Sequence, residues 1–218
     1  MTKKTFVLFA SCIAIAIFVI AALLYEKPNE TSSGKEVIIS ENSLLVRPHS
    51  VIMGPLNAPV TIVEFFDPAC EACRAFYPIV KKIQDSFPDS VRLVLRYAAF
   101  HEGSDEAVRI LETARIQNKY KIVLEALLRD QPKWADHGKP NIGLAWKAAE
   151  NAGLDIERAK KDMMNPNITA ILSQDSSDLK RVGVRRTPTF FVNGKPLQSF
   201  GAQQLYDLVS QEVKEAQN

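Results

Sequence analysis

Two cysteines separated by two residues, Cys70-Glu71-Ala72-Cys73, are the pair in this chain best suited to chemistry. An apolar run, Val60-Thr61-Ile62-Val63-Glu64-Phe65-Phe66, precedes them, and a helix-like run from Ala75 to Val80 follows. The order predicts a strand that delivers both thiols to the first turn of a helix. The first four amide N–H groups of a helix have no partner within it, and the helix dipole is positive at that end. Cys70 comes first, nearest that terminus and nearest water. Its thiolate is therefore favoured, and thiolates are the nucleophiles of disulfide exchange. Cys73, one turn on, is placed to attack a mixed disulfide and release the substrate. Two other readings of the pair stay open. One is an inert buried pair. The other is a metal site: zinc would need two more ligands, and His49, His101 and His137 stand at no paired spacing. Two thiolates alone still suit copper(I).

Glu64 lies inside the apolar run, six residues before Cys70. A glutamate is almost never fully buried unless paired. It either points to solvent from an edge strand, or is a buried acid of raised pKa that exchanges a proton with Cys73. About 115 residues after the cysteines comes Val184-Arg185-Arg186-Thr187-Pro188-Thr189-Phe190-Phe191-Val192-Asn193-Gly194. Proline cannot donate a ladder hydrogen bond, so Pro188 at the head of a strand is unusual. A cis peptide in a tight turn accounts for it.

Glu-Phe-Phe-x-x-x-Cys-x-x-Cys together with the distant Thr-Pro-Thr-Phe-Phe-Val-Asn-Gly resembles the thioredoxin superfamily, and more narrowly the bacterial DsbA-like thiol–disulfide oxidoreductases. The resemblance covers roughly residues 50 to 215. It implies that Thr187 and Pro188 lie against the dithiol, where exposed backbone can pair with an extended substrate strand. It implies a proline loop that keeps metal away from the site, and a glutamate at the place of Glu64 that serves Cys73. Arg185 and Arg186 either support the thiolate or are plain surface. The chain departs from the family between its cysteines: strong oxidases carry Pro-His there, and this protein carries Glu71-Ala72. A carboxylate beside the thiol raises its pKa, so the expectation is a milder oxidant than DsbA. Cys-Glu-x-Cys is similar to membrane-tethered thioredoxin-like reductases that serve cytochrome c maturation.

The elements that must position these groups follow from periodicity. Val91 to Tyr97 alternates charged and apolar residues as a strand does, which gives strand–helix–strand with parallel strands. From Ser104 to about Val182 the pattern is helical, with Ser104 as the first N-cap and further helices around Ile122–Leu127, Ile142–Ala152, from Asp155, and around Ile168–Leu172. Strand Thr189–Val192, an Asn193-Gly194 hairpin turn, a strand from Pro196 to Phe200 and a helix from Ala202 to Ala216 close the chain. The expected fold is α/β, a thioredoxin fold (βαβ…ββα) with an inserted helical subdomain of about residues 104–182. One N-terminal transmembrane helix precedes it.

The expected domains are an anchor or signal segment at 1–25, a tether and lead-in arm at 26–49, and the DsbA-like domain at 50–218. Lys3 and Lys4 precede an uncharged run from Phe6 to Leu24, about the 20 residues that span a bilayer core. Its end is a poor cleavage site, which favours an uncleaved anchor with the remainder exported. Phe9-Ala10-Ser11-Cys12 only loosely matches a lipoprotein box, and Cys12 reads as a small hydrophobe. Val37–Ile39 and Ser43–Val46 are short strands or a packed arm. The net charge of +2 over 218 residues gives no footprint for nucleic acid, and the scattered basic residues read as solvated faces. His101, which follows the strand ending at Tyr97, either approaches the active site or is a cap or surface residue, the latter favoured; Trp134 and Trp146 read as core.

These readings combine into a single-pass protein of the bacterial inner membrane, its catalytic domain facing the periplasm or cell exterior. Cys70 and Cys73 are its catalytic dithiol, with Glu64 beside them and Thr187 and Pro188 binding substrate. No organic cofactor or metal is required. The partners are exported cysteine-containing proteins, a membrane redox partner and, through residues 6–24, the membrane itself. The rival reading is a copper(I) chaperone using the same two thiolates. An isomerase is a third, but no dimerisation domain is visible.

Overall fold

The computed structural model describes residues 44–137 and 139–217 of the chain. The expected span at 6–24, the tether and the possible strand at Val37–Ile39 lie outside the described residues. Among the described residues no helix is long and apolar enough to cross a membrane.

Five strands form one sheet in the order β1-β3-β2-β4-β5. They are β1 (Val51–Met53), β2 (Val60–Phe66), β3 (Val91–Tyr97), β4 (Thr189–Val192) and β5 (Lys195–Pro196). Helix α1 (Glu71–Ser86) joins β2 to β3. These two strands run parallel, in register from Val60 opposite Val91 to Phe66 opposite Tyr97. β4 returns antiparallel on the other side of β2 and sets Phe190 opposite Glu64. β2 is therefore the central strand. Its near-continuous apolar run fits a strand covered on both faces.

Between the halves of the sheet lie α2 (Ser104–Ile116), α3 (Tyr120–Trp134), α4 (Ile142–Asn151), α5 (Ile156–Asp162) and α6 (Pro166–Arg181). The last helix, α7 (Ala202–Ala216), follows β5. One face of the sheet joins α1, α7 and most of the insertion in a core that includes Ile62, Phe66, Cys73, Val80, Leu124, Trp134 and Val209. The other face is a smaller core of Leu45, Val63, Phe65, Val94, Leu179 and Phe191. Alternation along β2 sends Val60, Ile62, Glu64 and Phe66 to the first face. That is the face of the cysteines.

Three details differ from the sequence reading. Ser104 does not cap α2: Gly103, at φ 79°, holds the cap position and Ser104 is the first helical residue. Its hydroxyl instead donates to Asp67. The strand expected to reach Phe200 ends at Pro196; Phe200 turns back onto Phe76, ring centroids 4.4 Å apart. Leu44 and Leu45 are helical rather than extended. A fourth difference concerns charge. Arg96 is fully buried, not on a solvated face. Its guanidinium reaches Asp175 at 2.7 Å and Asp178 at 2.8 Å on α6, and donates to the Leu45 carbonyl at 3.0 Å. Arg47 meets Asp178 and His49 meets Asp175, each at 2.7 Å. The alternating pattern of β3 suggested one wet face, but α6 and the 44–50 arm cover it. Asp175 and Asp178 supply the charge that makes the burial tolerable.

Candidate active site

β2 ends at Phe66 and a short turn carries the chain to Cys70, the N-cap of α1. Asp67 builds that turn. Its Oδ1 accepts from the amide of Ala69 at 2.8 Å, an Asx turn. Its Oδ2 accepts from the amides of Phe100 and His101 at 2.8 and 3.0 Å and sits 2.7 Å from His101 Nδ1. The Asp67 amide in turn points at Cys73 Sγ, 3.5 Å away. From the insertion, Gln131 of α3 donates to the carbonyls of Pro68 (2.8 Å) and Cys70 (3.0 Å) and accepts from Arg74 Nε at 2.9 Å.

Both cysteines are free thiols. Cys70 keeps 6% of its surface exposed and Cys73 none, so access is narrower than the sequence suggested. The Cys70 thiol is pulled down to about 5. The hydrogen bond from Cys73 is the largest cause. Burial opposes it, and the Thr187 hydroxyl and the amides of Cys73 and Ala72 reinforce it. Those amides are the unpaired donors of the helix start. Cys73 moves the opposite way and is held firmly protonated, first by burial and then by Cys70 and Glu64.

Glu71 does not govern this balance. Its side chain is exposed and lies 3.5 Å from His137 Nε2. It is absent from the causes acting on Cys70: water screens an outward-pointing carboxylate, while the amide donors face the sulfur directly.

The peptide between Thr187 and Pro188 is cis, and this loop abuts the dithiol: Cys70 Sγ–H donates to the Thr187 carbonyl at 3.3 Å. Thr187 Oγ1 is buried beside the sulfur and makes no hydrogen bond to any other group. Arg185 and Arg186 are exposed. Glu64 is 1% exposed in the middle of the sheet, not on an edge, and its Oε1 has no hydrogen-bond partner. Burial first, and the Cys70 charge second, push its carboxyl up to about 8.

Cys70, Cys73, Glu64, Thr187 and Pro188 thus converge at one end of β2. Asp67 and Gln131 went unnoticed in the sequence. The Asp67-Pro68-Ala69 turn carried a local signal for the first; nothing local marks Gln131, whose partners lie about 60 residues earlier. His101 is more than a surface histidine, since it closes the Asp67 network. Among the described residues, no group of three or more His, Cys, Asp or Glu side chains is placed to hold a metal ion.

A strand, a dithiol at a helix start and a facing proline loop on a βαβ…ββα sheet define the class of thioredoxin-like oxidoreductase folds. The chain belongs to the thioredoxin family, whose sequence profile matches residues 47–211. A thioredoxin-like oxidoreductase from Silicibacter pomeroyi DSS-3 superimposes with a TM-score of 0.68 at 32% identity, covering 79% of this chain and 97% of that one. Disulfide bond formation protein D of Bacillus subtilis is 25% identical over 85% of this chain and 84% of its own length. The Na(+)/H(+) antiporter NhaA of Herminiimonas arsenicoxydans is 31% identical over 67% of this chain but only 23% of its own length. The chain therefore spans about a quarter of the antiporter it matches. The DsbA-like resemblance read from the two motifs is borne out by these neighbours.

Proposed function

We propose that this domain exchanges a Cys70–Cys73 disulfide or dithiol with cysteines of exported proteins. The observation that carries the reading is the opposed pair of thiols: Cys70 lowered to about 5 at a helix start, Cys73 buried and held protonated, with the Thr187 carbonyl against the reactive sulfur. In the oxidising direction, a substrate thiolate attacks Cys70 Sγ. The Cys70–Cys73 bond breaks, a substrate–Cys70 disulfide forms, and the electron pair departs on Cys73, which takes a proton. A second substrate thiolate then attacks the substrate sulfur and Cys70 leaves as the stabilised thiolate. Glu64 is a buried acid coupled electrostatically to Cys73 and able to supply or take its proton, and its pKa of about 8 keeps it protonated at neutral pH. Backbone beside Pro188 offers an extended substrate a strand to pair with.

No metal or organic cofactor enters this chemistry. The copper(I) rival needs both sulfurs as thiolates, and the burial that holds Cys73 protonated disfavours that state. The setting we propose is the outer face of a bacterial inner membrane, with residues 1–25 as anchor and a membrane redox partner. The support is the pattern of two lysines followed by an apolar run at the N-terminus, and the likeness to a disulfide bond formation protein.

The test is insulin reduction by the reduced 44–218 domain. Wild type accelerates it, Cys70→Ser is inactive though folded, and Cys73→Ser accumulates a mixed disulfide through Cys70. Equal activity in Cys70→Ser, or tight stoichiometric copper(I) binding by a redox-inert wild type, overturns the reading.

A further inference from the structure

The insertion is joined to the dithiol loop by a buried carboxamide, and nothing in the oxidoreductase chemistry requires one there. Gln131 lies on α3 in an otherwise apolar buried stripe with Leu124, Leu127, Leu128 and Trp134. A carboxamide in such a stripe costs free energy unless its groups are satisfied. Every polar partner it has lies on the Cys70 loop or the first turn of α1. Its two N–H bonds go one each to the Pro68 and Cys70 carbonyls, and its oxygen receives Arg74 Nε. Arg74 thereby fixes which end of the amide faces the loop: a cation on the oxygen leaves the NH2 for the carbonyls. The helix turn behind Gln131 is itself anchored, because Trp134 is fully buried and its indole donates to the Leu127 carbonyl at 2.9 Å.

We propose that Gln131, oriented by Arg74, is a positioning residue that sets the thiolate stability and redox potential of Cys70 from within the helical insertion. The proposal deepens the oxidoreductase reading and rests on it. The Cys70 carbonyl already accepts the first helical bond, from the Arg74 amide at 3.1 Å. The Gln131 carboxamide clamps the Pro68–Ala69 and Cys70–Glu71 peptide planes, one before and one after the Cys70 amide turn. Those planes decide where the Cys70 side chain leaves the backbone, at φ −76° and ψ 121°. That exit direction aims the sulfur at the amides of Ala72 and Cys73, two of the donors that lower it. Without the clamp, two buried carbonyls lose a donor, the loop relaxes, and the sulfur drifts from the amides.

The experiment compares wild type, Gln131→Leu and Arg74→Met in the full-length protein. Gln131→Leu removes both donors at similar volume. Arg74→Met, at a half-buried position, leaves the Gln131 oxygen without its donor and loosens the carboxamide's hold on the two carbonyls. Cys70 ionisation is read from thiolate absorbance against pH, potential from equilibration with glutathione, and fold from circular dichroism and urea unfolding. The expected result is a Cys70 midpoint raised by about one pKa unit in each variant. That is a tenfold loss of thiolate stability, or about 30 mV toward a less oxidising couple. A merely structural residue would lower the urea midpoint and leave the ionisation and potential of the folded protein unchanged, and that outcome overturns the proposal. If Gln131→Leu does not fold, Arg74→Met decides alone, on the same criterion. A wild type whose thiol titrates near 9 defeats the oxidoreductase reading itself, whereas a low wild-type midpoint with unshifted variants defeats only the role of Gln131.

Discussion

Replacing Glu64 by Gln tests the electrostatics of the site most directly. The wild-type carboxyl is buried, one of its oxygens has no partner, and it is pushed from its ordinary 4.5 up to about 8, mainly by loss of water. The folded chain therefore holds this proton to higher pH than the unfolded chain does. Stability associated with neutral Glu64 is complete below pH 4.5 and is lost as pH rises through about 8. At about 1.4 kcal/mol per pKa unit, the full loss is on the order of 5 kcal/mol in a site that stays dry. Water drawn in on ionisation brings the measured figure nearer about 2–3 kcal/mol. Glutamine carries no titratable proton and pays no such penalty. The two proteins should differ by a constant below about pH 4, and the variant should gain on wild type by at least about 2 kcal/mol between pH 5 and pH 9.

The assay is urea unfolding at half-unit pH steps. Cys70 titrates with the opposite sign: its pKa falls from 9.0 to about 5 on folding, so its contribution is complete above 9 and lost as pH falls through about 5. Taking variant minus wild type removes most of that term, although the groups are coupled. Running the disulfide form removes it outright, since no Cys70 charge then exists. The burial term on Glu64 survives there. Parallel stability curves for the two proteins in both redox states would refute the burial argument, because a solvated carboxylate predicts no pH-dependent difference.

Two further outcomes follow from the same structure. The Cys70 value of about 5 lies between the roughly 3.5 of DsbA and the roughly 7 of thioredoxin. At about 30 mV per unit, the pair should equilibrate with glutathione between about −210 and −160 mV, milder than DsbA near −120 mV; a potential at or above DsbA's contradicts this. Arg96→Met should destabilise the domain by about 3–5 kcal/mol in urea, because Asp175 and Asp178 stay buried with fewer partners. A loss below about 1 kcal/mol would show that Arg47 and His49 suffice to neutralise them.

What the sequence revealed was what is encoded locally. The β2 run, the dithiol and α1 are contiguous, and the Asn193-Gly194 turn with its positive φ values fits a two-residue hairpin loop. What it concealed depends on distant partners. Arg96 and Arg92 occupy equivalent places in the alternating pattern of β3, yet Arg92 bonds Thr61 near the surface and Arg96 is enclosed by α6. Only the path of a helix about 80 residues later separates them. The weight of Glu71 was hidden for a related reason. Its adjacency to Cys70 suggested a strong effect, but side chains at successive helical positions point in different directions, and Glu71 faces solvent.

The opposed shifts also impose an order on the proposed reaction. In the dithiol state the Cys70 charge helps hold both Glu64 and Cys73 protonated. Once Cys70 enters a mixed disulfide, its sulfur bears no charge and that contribution vanishes from both groups. Glu64 then ionises more easily and Cys73 gives up its proton more easily. The resolving thiol is released at the stage where it is needed and restrained before it. Glu64→Gln removes the acceptor without changing shape, so in the reducing direction attack of Cys70 on a substrate disulfide should keep its rate while resolution by Cys73 slows. Rapid-quench trapping of the mixed disulfide separates the two steps; equal slowing of both would place Glu64 outside this relay and leave it only its effect on stability.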